Sequence, residues 1–246
     1  MLRLGVAEPP MAETRPTGLV VALAREARTL VAGRIPLDQP VAIGGGNHCW
    51  VSGMGAERAR RAARGLFDIG CRRLVSWGVA GGLDPAARAG LILLPERILG
   101  GEGDVLPADP DWRSKLLEAR GSPPLECEDL LTMDRVIANA AEKALLRKRF
   151  PAVLVDLEAF SVGTVARERG MPFVAIKAPL DGVDQSVPQV LTQTLDPWGR
   201  LMVRRLPSCV ARMRKADYAG VLQLWESDRQ AHRALRYFAR HLGWAK

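Results

Sequence analysis

Four short segments of this chain hold side chains that could do acid–base work on an enclosed ligand. They are Glu26 in LAREA (23–27), the glycines Gly78, Gly81 and Gly82 in RLVSWGVAGGLD (73–84), Asp156 and Glu158 in VDLEAF (155–160), and Lys177 and Asp181 in KAPLDGVD (177–184). Glycines directly after an apolar strand let the backbone approach a ligand closely and adopt positive φ without a Cβ clash. A carboxyl group acts as an acid near neutrality only where burial or hydrogen bonding raises its pKa. Taken singly, each feature has a plainer reading. Glu26 suits the first turn of a helix, where the dipole favours a carboxylate, and Glu158 could open its helix in the same way. Asp181 before Gly182 fits an ordinary turn.

The elements that must position these residues follow from the hydrophobic pattern. Gly18–Leu23, Val41–Ile43, His48–Ser52, Arg73–Trp77, Leu91–Leu94, Val153–Val155 and Phe173–Lys177 read as strands. Gly44-Gly45-Gly46-Asn47 is the turn between the second and third of them. Glu26–Val31, Ala56–Ile69, Asn139–Phe150 and Glu158–Arg169 read as helices, the last closed by Gly170 with Pro172 beyond it. Strand–helix alternation over 18–180 predicts an α/β fold of three layers with a mixed, mainly parallel central sheet. Ligands in such sheets bind in a crevice outside the carboxyl ends of the strands. Glu26, Gly78–Gly82, Asp156, Glu158 and Asp181 all fall at those ends, so the acidic groups and glycines are expected to line one pocket.

Composition sets the limits. With 246 residues, 48% of them hydrophobic, the chain can bury one substantial core. Residues 1–17 contain Glu8, Glu13, Pro9, Pro10 and Pro16 and no apolar signal-like stretch, and read as a loose leader. Residues 18–199 form the expected catalytic domain, with a turn-rich connection over Pro188–Gly199, and 200–246 a basic helical extension. That extension holds eleven Lys/Arg against Asp217, Glu226 and Asp228, while the remainder balances, so the whole net charge of +8 sits there. Trp225, Tyr237, Phe238, Leu242 and Trp244 lie among these cations. The mixture suits either attraction to an anionic lipid surface or nucleic acid, or a helix packed on its own domain. No run has the length to span a bilayer. Cys49, Cys71, Cys127 and Cys209 show no pairing or zinc-like spacing, which favours free thiols in a reducing cytoplasm. The three histidines lack helical ligand spacing, so no metal site is expected.

In the same order over most of 18–190, the four segments resemble those of the purine nucleoside phosphorylase superfamily, and within it the methylthioadenosine/S-adenosylhomocysteine nucleosidases. GLVVALAREAR, VSWGVAGGLDP with Arg88-Ala89-Gly90, TMDRVIANAAEKALL, DQSVPQVL, DPWGR and the basic tail are most similar to the hopanoid-associated branch, identified as adenosylhopane nucleosidases. The resemblance implies a nucleoside phosphorylase-like fold and no cofactor. It makes Asp181 the acid that protonates the leaving purine, Glu26 the carboxylate that holds and deprotonates water, and Glu158 the acceptor for the ribose hydroxyls. Val79, Ala80, Gly81, Asp156, Leu157 and Lys177 then line the substrate site, and Gly53 and Gly55 form an anion or ribose loop with Arg58 nearby. A charged acceptor at the sugar also favours the cation-like ribosyl transition state.

The chain departs from the family pattern at four of these positions. Val79 and Leu180 stand where Ser is common, Lys177 where Arg is usual, and Leu157 where Met is usual. Val79 and Leu157 keep the ribose region apolar, in keeping with a hydrophobic 5′ substituent. A carboxylate at Glu26 repels phosphate and activates water, which favours hydrolysis over phosphorolysis. The expected enzyme releases adenine from a lipid-linked nucleoside, binds no nucleic acid and forms a homodimer or larger oligomer. It works in the cytoplasm or peripherally on the inner membrane face. A soluble nucleosidase or phosphorylase for small nucleosides, and an inactive nucleoside-binding protein, are the alternatives.

Overall fold

A computed structural model describes residues 15–118, 128–187, 196–200, 202 and 215–245. The apolar runs assemble into one sheet from nine strands among these residues. They are β1 (Thr17–Val21), β2 (Pro40–Ala42), β3 (His48–Val51), β4 (Arg73–Gly82), β5 (Arg97–Gly100), β6 (Val105–Pro107), β7 (Asp129–Thr132), β8 (Ala152–Asp156) and β9 (Phe173–Asp181). The order is β2-β3-β1-β4-β8-β7-β5-β6, with β9 paired to β4. β1 runs parallel to β3 and β4, β4 to β9, β5 to β7, and β7 to β8, so the sheet is mixed and mainly parallel. Antiparallel pairing is confined to β2–β3, β5–β6 and the tip of β4 against β8.

Among the described residues six α-helices accompany the sheet: α1 (Ala24–Ala27), α2 (Ala56–Asp68), α3 (Pro110–Glu118), α4 (Ala140–Arg149), α5 (Ala159–Glu168) and α6 (Lys215–His241). The apolar spacing of α2 buries Ala59, Ala62, Ala63 and Leu66, leaving Arg61 and Arg64 half-exposed. Gly65 lets α2 pass Trp50, because a Cβ there would lie 2.5 Å from the indole ring. Asn139 caps α4 by accepting from Ala141 N at 2.8 Å. Strands β1, β8 and β9 read as continuous apolar runs because a mainly parallel sheet is covered on both faces.

Several elements differ from the pattern-based expectation. β4 does not stop at Trp77 but continues as strand through Gly82. It keeps β9 along its length and exchanges β1 for β8 at Gly81–Gly82, so the glycines lie within the sheet rather than in a turn. Their cause is close approach: a Cβ on Gly78 would fall 2.3 Å from Glu26 Oε1, and one on Gly82 2.4 Å from the Asp181 carbonyl. The expected strand Leu91–Leu94 is reduced to one bridge, Leu93 to Lys177, because Leu93 alone exchanges hydrogen bonds with β9. The helix expected over Glu26–Val31 is the short α1, ending in turns. Strands β5, β6 and β7 and helix α3 carry too little periodicity to have been read from the sequence.

The extension packs on the domain. Ala231, Leu235, Phe238 and Ala239 of α6 are buried in the main core, and Trp244 beyond it meets Trp77 at 6.0 Å between ring centroids. Burying side chains such as Leu235 and Phe238 stabilises by roughly 1.5–3 kcal/mol each. The opposite face of α6 exposes Leu222, Trp225, Arg229, Arg233, Arg236, Tyr237 and Arg240. Arg229 stacks over Trp225 at 4.6 Å. No helix among the described residues is long and apolar enough to cross a membrane. Cys49 and Cys71 are buried and free. Residues 1–14, Cys127, Cys209 and the connection 188–195 lie outside the described residues.

Candidate active site

Four acidic side chains and one lysine are drawn under the surface at the carboxyl ends of β1, β4, β8 and β9. Glu26, Asp156, Glu158, Lys177 and Asp181 are all buried. Two of the carboxylates are held through β4: Val79 N donates to Glu26 Oε1 at 2.7 Å and Gly82 N to Asp181 Oδ1 at 3.0 Å. Three residues of extended strand separate these amides by about 10 Å.

Glu26 keeps its plain helical duty as well, since its Oε2 accepts from Leu23 N at 2.8 Å and closes the first turn of α1. Burial pushes its pKa up, and Lys177 and the two amides pull it partly back. Glu158 sits at the start of α5 and accepts from Gly55 N at 2.8 Å. Burial and the neighbouring Asp156 carboxylate push Glu158 up to about 7. Asp156 ends β8 and is held by three donors: it accepts from Thr132 Oγ1 at 2.7 Å, Ala159 N at 3.0 Å and Lys177 Nζ at 2.8 Å. Burial pulls the Lys177 ammonium down, but Asp156, Glu158 and Glu26 more than offset this and hold it charged. Lys177 thus neutralises part of a cluster that could not otherwise stay ionised out of water.

Val79, Ala80 and Gly81 form the stretch of β4 between the two held carboxylates, and Leu157 lies half-buried between Asp156 and Glu158. Gly53 and Gly55 flank Met54 in the loop after β3, and the amides of this loop are all engaged. Ser52 N donates to Val21 O at 2.9 Å, Gly53 N to Ala22 O at 3.1 Å and Met54 N to Pro197 O at 2.7 Å, while Gly55 N goes to Glu158. Trp198 of the DPWGR segment covers the loop, with Arg58 over its ring at 5.7 Å.

Four participants were not singled out as site residues from the sequence, although Thr132 and Lys143 lie in the TMDRVIANAAEKALL segment. Lys143 of α4 is fully buried and donates to Asp181 Oδ2 at 2.6 Å. Thr132 of β7 orients Asp156. Asp228 of α6 pairs with Arg25, and His232, one turn on, is close enough to Glu26 to lower its pKa. Each reaches the site from an element distant in sequence, and a lysine in a helix of Lys and Arg has nothing to distinguish it.

A family model described as the phosphorylase superfamily matches residues 20–213. Native futalosine hydrolase of Helicobacter pylori superposes with a TM-score of 0.64 at 14% identity, covering 92% of this chain and 98% of that one. The 5′-methylthioadenosine/S-adenosylhomocysteine nucleosidase of Neisseria meningitidis, in complex with methylthio-immucillin-A, gives 0.65 at 15% identity, covering 92% and 99%. A mutant of H. pylori MTAN with 5′-methylthioadenosine in its active site gives 0.61 at 16% identity, covering 81% and 99%. None of the curated proteins searched matches the chain.

Proposed function

The chain belongs to the phosphorylase superfamily, and on that premise we propose that it is a nucleosidase hydrolysing the N-glycosidic bond of an adenine nucleoside. The observation that carries this reading is the pairing of a buried Glu26 with a loop whose amides are spent. A phosphorylase needs free donors to cradle an anion beside the sugar. Here the backbone N–H groups of 52–55 are taken by protein acceptors, one of them the Glu158 carboxylate. Water beside Glu26 is the nucleophile that such a site accommodates.

In this mechanism Glu26 holds water and takes its proton as the oxygen attacks the anomeric carbon. Glu158, anchored on one oxygen by Gly55, offers the other to the ribose hydroxyls and steadies the cation-like sugar. Asp181 gives its proton to the departing purine, which leaves as neutral adenine. The sugar leaves as the free hemiacetal.

The substrate we propose is a nucleoside with a lipid at the 5′ carbon, adenosylhopane, yielding ribosylhopane. Apolar Val79 and Leu157 beside the sugar and the outward Arg229/Arg233/Arg236/Arg240 stripe of α6 support it. On this reading the enzyme is cytoplasmic, a homodimer or larger oligomer, and docks peripherally on an anionic leaflet. A small soluble nucleoside is the second reading, favoured by the fold neighbours that hold 5′-methylthioadenosine or its analogue.

Incubation with adenosylhopane and with methylthioadenosine in phosphate buffer, followed by assay of free adenine and of the sugar product, tests these statements together. Adenine and free ribosyl hemiacetal are expected. Ribosyl-1-phosphate sinks hydrolysis, adenine from methylthioadenosine alone removes the lipid substrate, and no adenine from either leaves a binding protein.

Membrane docking has its own test. Each well-placed cation adds about 1 kcal/mol on anionic lipid, and surface charges are screened over about 8 Å at physiological ionic strength. Reversing Arg229, Arg233, Arg236 and Arg240 to Glu is expected to abolish salt-sensitive vesicle binding and activity on membrane-embedded substrate. Activity on a short, water-soluble adenosine analogue should persist, because these four side chains point away from the core. Equal loss on both substrates would mean that the stripe serves the fold or a subunit interface instead.

A further inference from the structure

Lys143 is a fully buried feature of the site to which the proposed mechanism gives no duty. Its side chain is 0% exposed, an expensive place for an ammonium. All three N–H donors are used: Asp181 Oδ2 at 2.6 Å, the Gly182 carbonyl at 3.0 Å and the Gln185 carbonyl at 3.0 Å. Two of those acceptors are neutral, so the compensating charge must come from Asp181. Leu180, before Asp181, can offer no hydroxyl to steady that carboxyl.

We propose that Lys143 is the positioning residue that makes Asp181 a competent acid, by fixing its carboxyl against Gly82 N and stabilising the carboxylate left once the proton has passed to the purine. The proton moves from an Asp181 oxygen to a ring nitrogen as the glycosidic electron pair enters the purine, and Lys143 gives up nothing. The ammonium counters burial, which alone would hold Asp181 protonated and make it a weak acid. Other charges facing this region are engaged elsewhere. Arg147, one turn along α4, pairs with Asp84 after β4, and Glu142 pairs outward with Arg135. From β4 itself the contact is the Gly82 amide.

The inference rests on the nucleosidase reading, and the test separates the two. Lys143→Met removes charge and donors, Lys143→Gln keeps donors for the two carbonyls and drops only the charge, and Lys143→Arg keeps a charge. Two quantities are measured in the whole protein: the pH dependence of kcat for adenine release, and the Asp181 carboxyl titration by 13C NMR, assigned with Asp181→Asn. Asp181 must be protonated to act, so activity falls as pH rises through its pKa. Loss of a cation at this distance is expected to move that limb and the NMR midpoint upward by at least about one unit in Met and Gln variants, with a lower kcat plateau and little change in KM. Arg should restore the position of the limb. A limb and midpoint that stay in place in Gln and Met, or full activity in Gln, would reduce Lys143 to a pin for the 181–185 segment and overturn the proposal. Should the unaltered protein release no adenine, the nucleosidase reading fails, and the NMR midpoints still decide whether Lys143 sets the Asp181 proton. Should Met fail to fold, Gln and Arg decide.

Discussion

Asp181→Asn is expected to lower kcat for adenine release by at least about a hundredfold, the usual scale for losing a general acid. The amide keeps an oxygen for Gly82 N but has no proton to give, and its NH2 faces the Lys143 ammonium as donor against donor. A fully buried lysine then stands without its counter-ion, and breaking a buried pair from one side costs about 3–5 kcal/mol. The variant should therefore lose stability as well as turnover. Pairing Asp181→Asn with Lys143→Met separates the two effects, because with both charges removed no buried ion is left without its counter-ion. Thermal unfolding should recover in the double variant while turnover does not. A double variant that is stable and near-normal in turnover would remove Asp181 from the acid role.

Glu26→Gln should be comparably severe, a loss of about 10²–10⁴ in kcat. Both Glu26 oxygens accept backbone N–H groups, from Val79 and from Leu23. A glutamine oxygen satisfies one and sets NH2 against the other, so the replacement is neither a base nor a good structural mimic. Nucleoside binding should survive better than cleavage, because Glu158 holds the sugar in this mechanism. Isothermal titration against single-turnover cleavage reads that split, and equal loss of both would point to a role in binding alone. The pH profile carries a matching signature. Glu26 must be ionised and Asp181 protonated, so activity should rise with pH through the burial-raised pKa of Glu26 and fall through that of Asp181. Glu158, held up to about 7 by burial and by Asp156, accepts ribose hydroxyls best once ionised. KM should accordingly improve as pH passes that value.

The alternation of apolar strands and helices in this chain was legible because period-2 and period-3.6 patterns act within a few residues. β1, β3, α2, α4, α5, β8 and the first half of β9 all lie where their patterns put them. Local chemistry also placed Glu26, Glu158 and Asp181 at strand or helix ends, and the charge count isolated the basic face of α6. Pairing was not legible. The run of glycines after Trp77 looked like a turn, because nothing local says that β9 and β8 continue the ladder through Gly82. Nor could a sequence say that Gly78 is glycine to admit the carboxylate of Glu26, 52 positions away, which accepts from Val79 N.

Charge is governed by the same long-range pairing. Sequence alone named the candidate acidic groups, but their protonation depends on the dielectric and on partners that folding brings together. Lys177 beside Asp156, Lys143 beside Asp181, and Asp228 of α6 against Arg25 are contacts of long sequence separation. Only the tertiary structure decided them, because a buried charge is tolerated where a partner meets it, and that meeting is a property of the packed sheet.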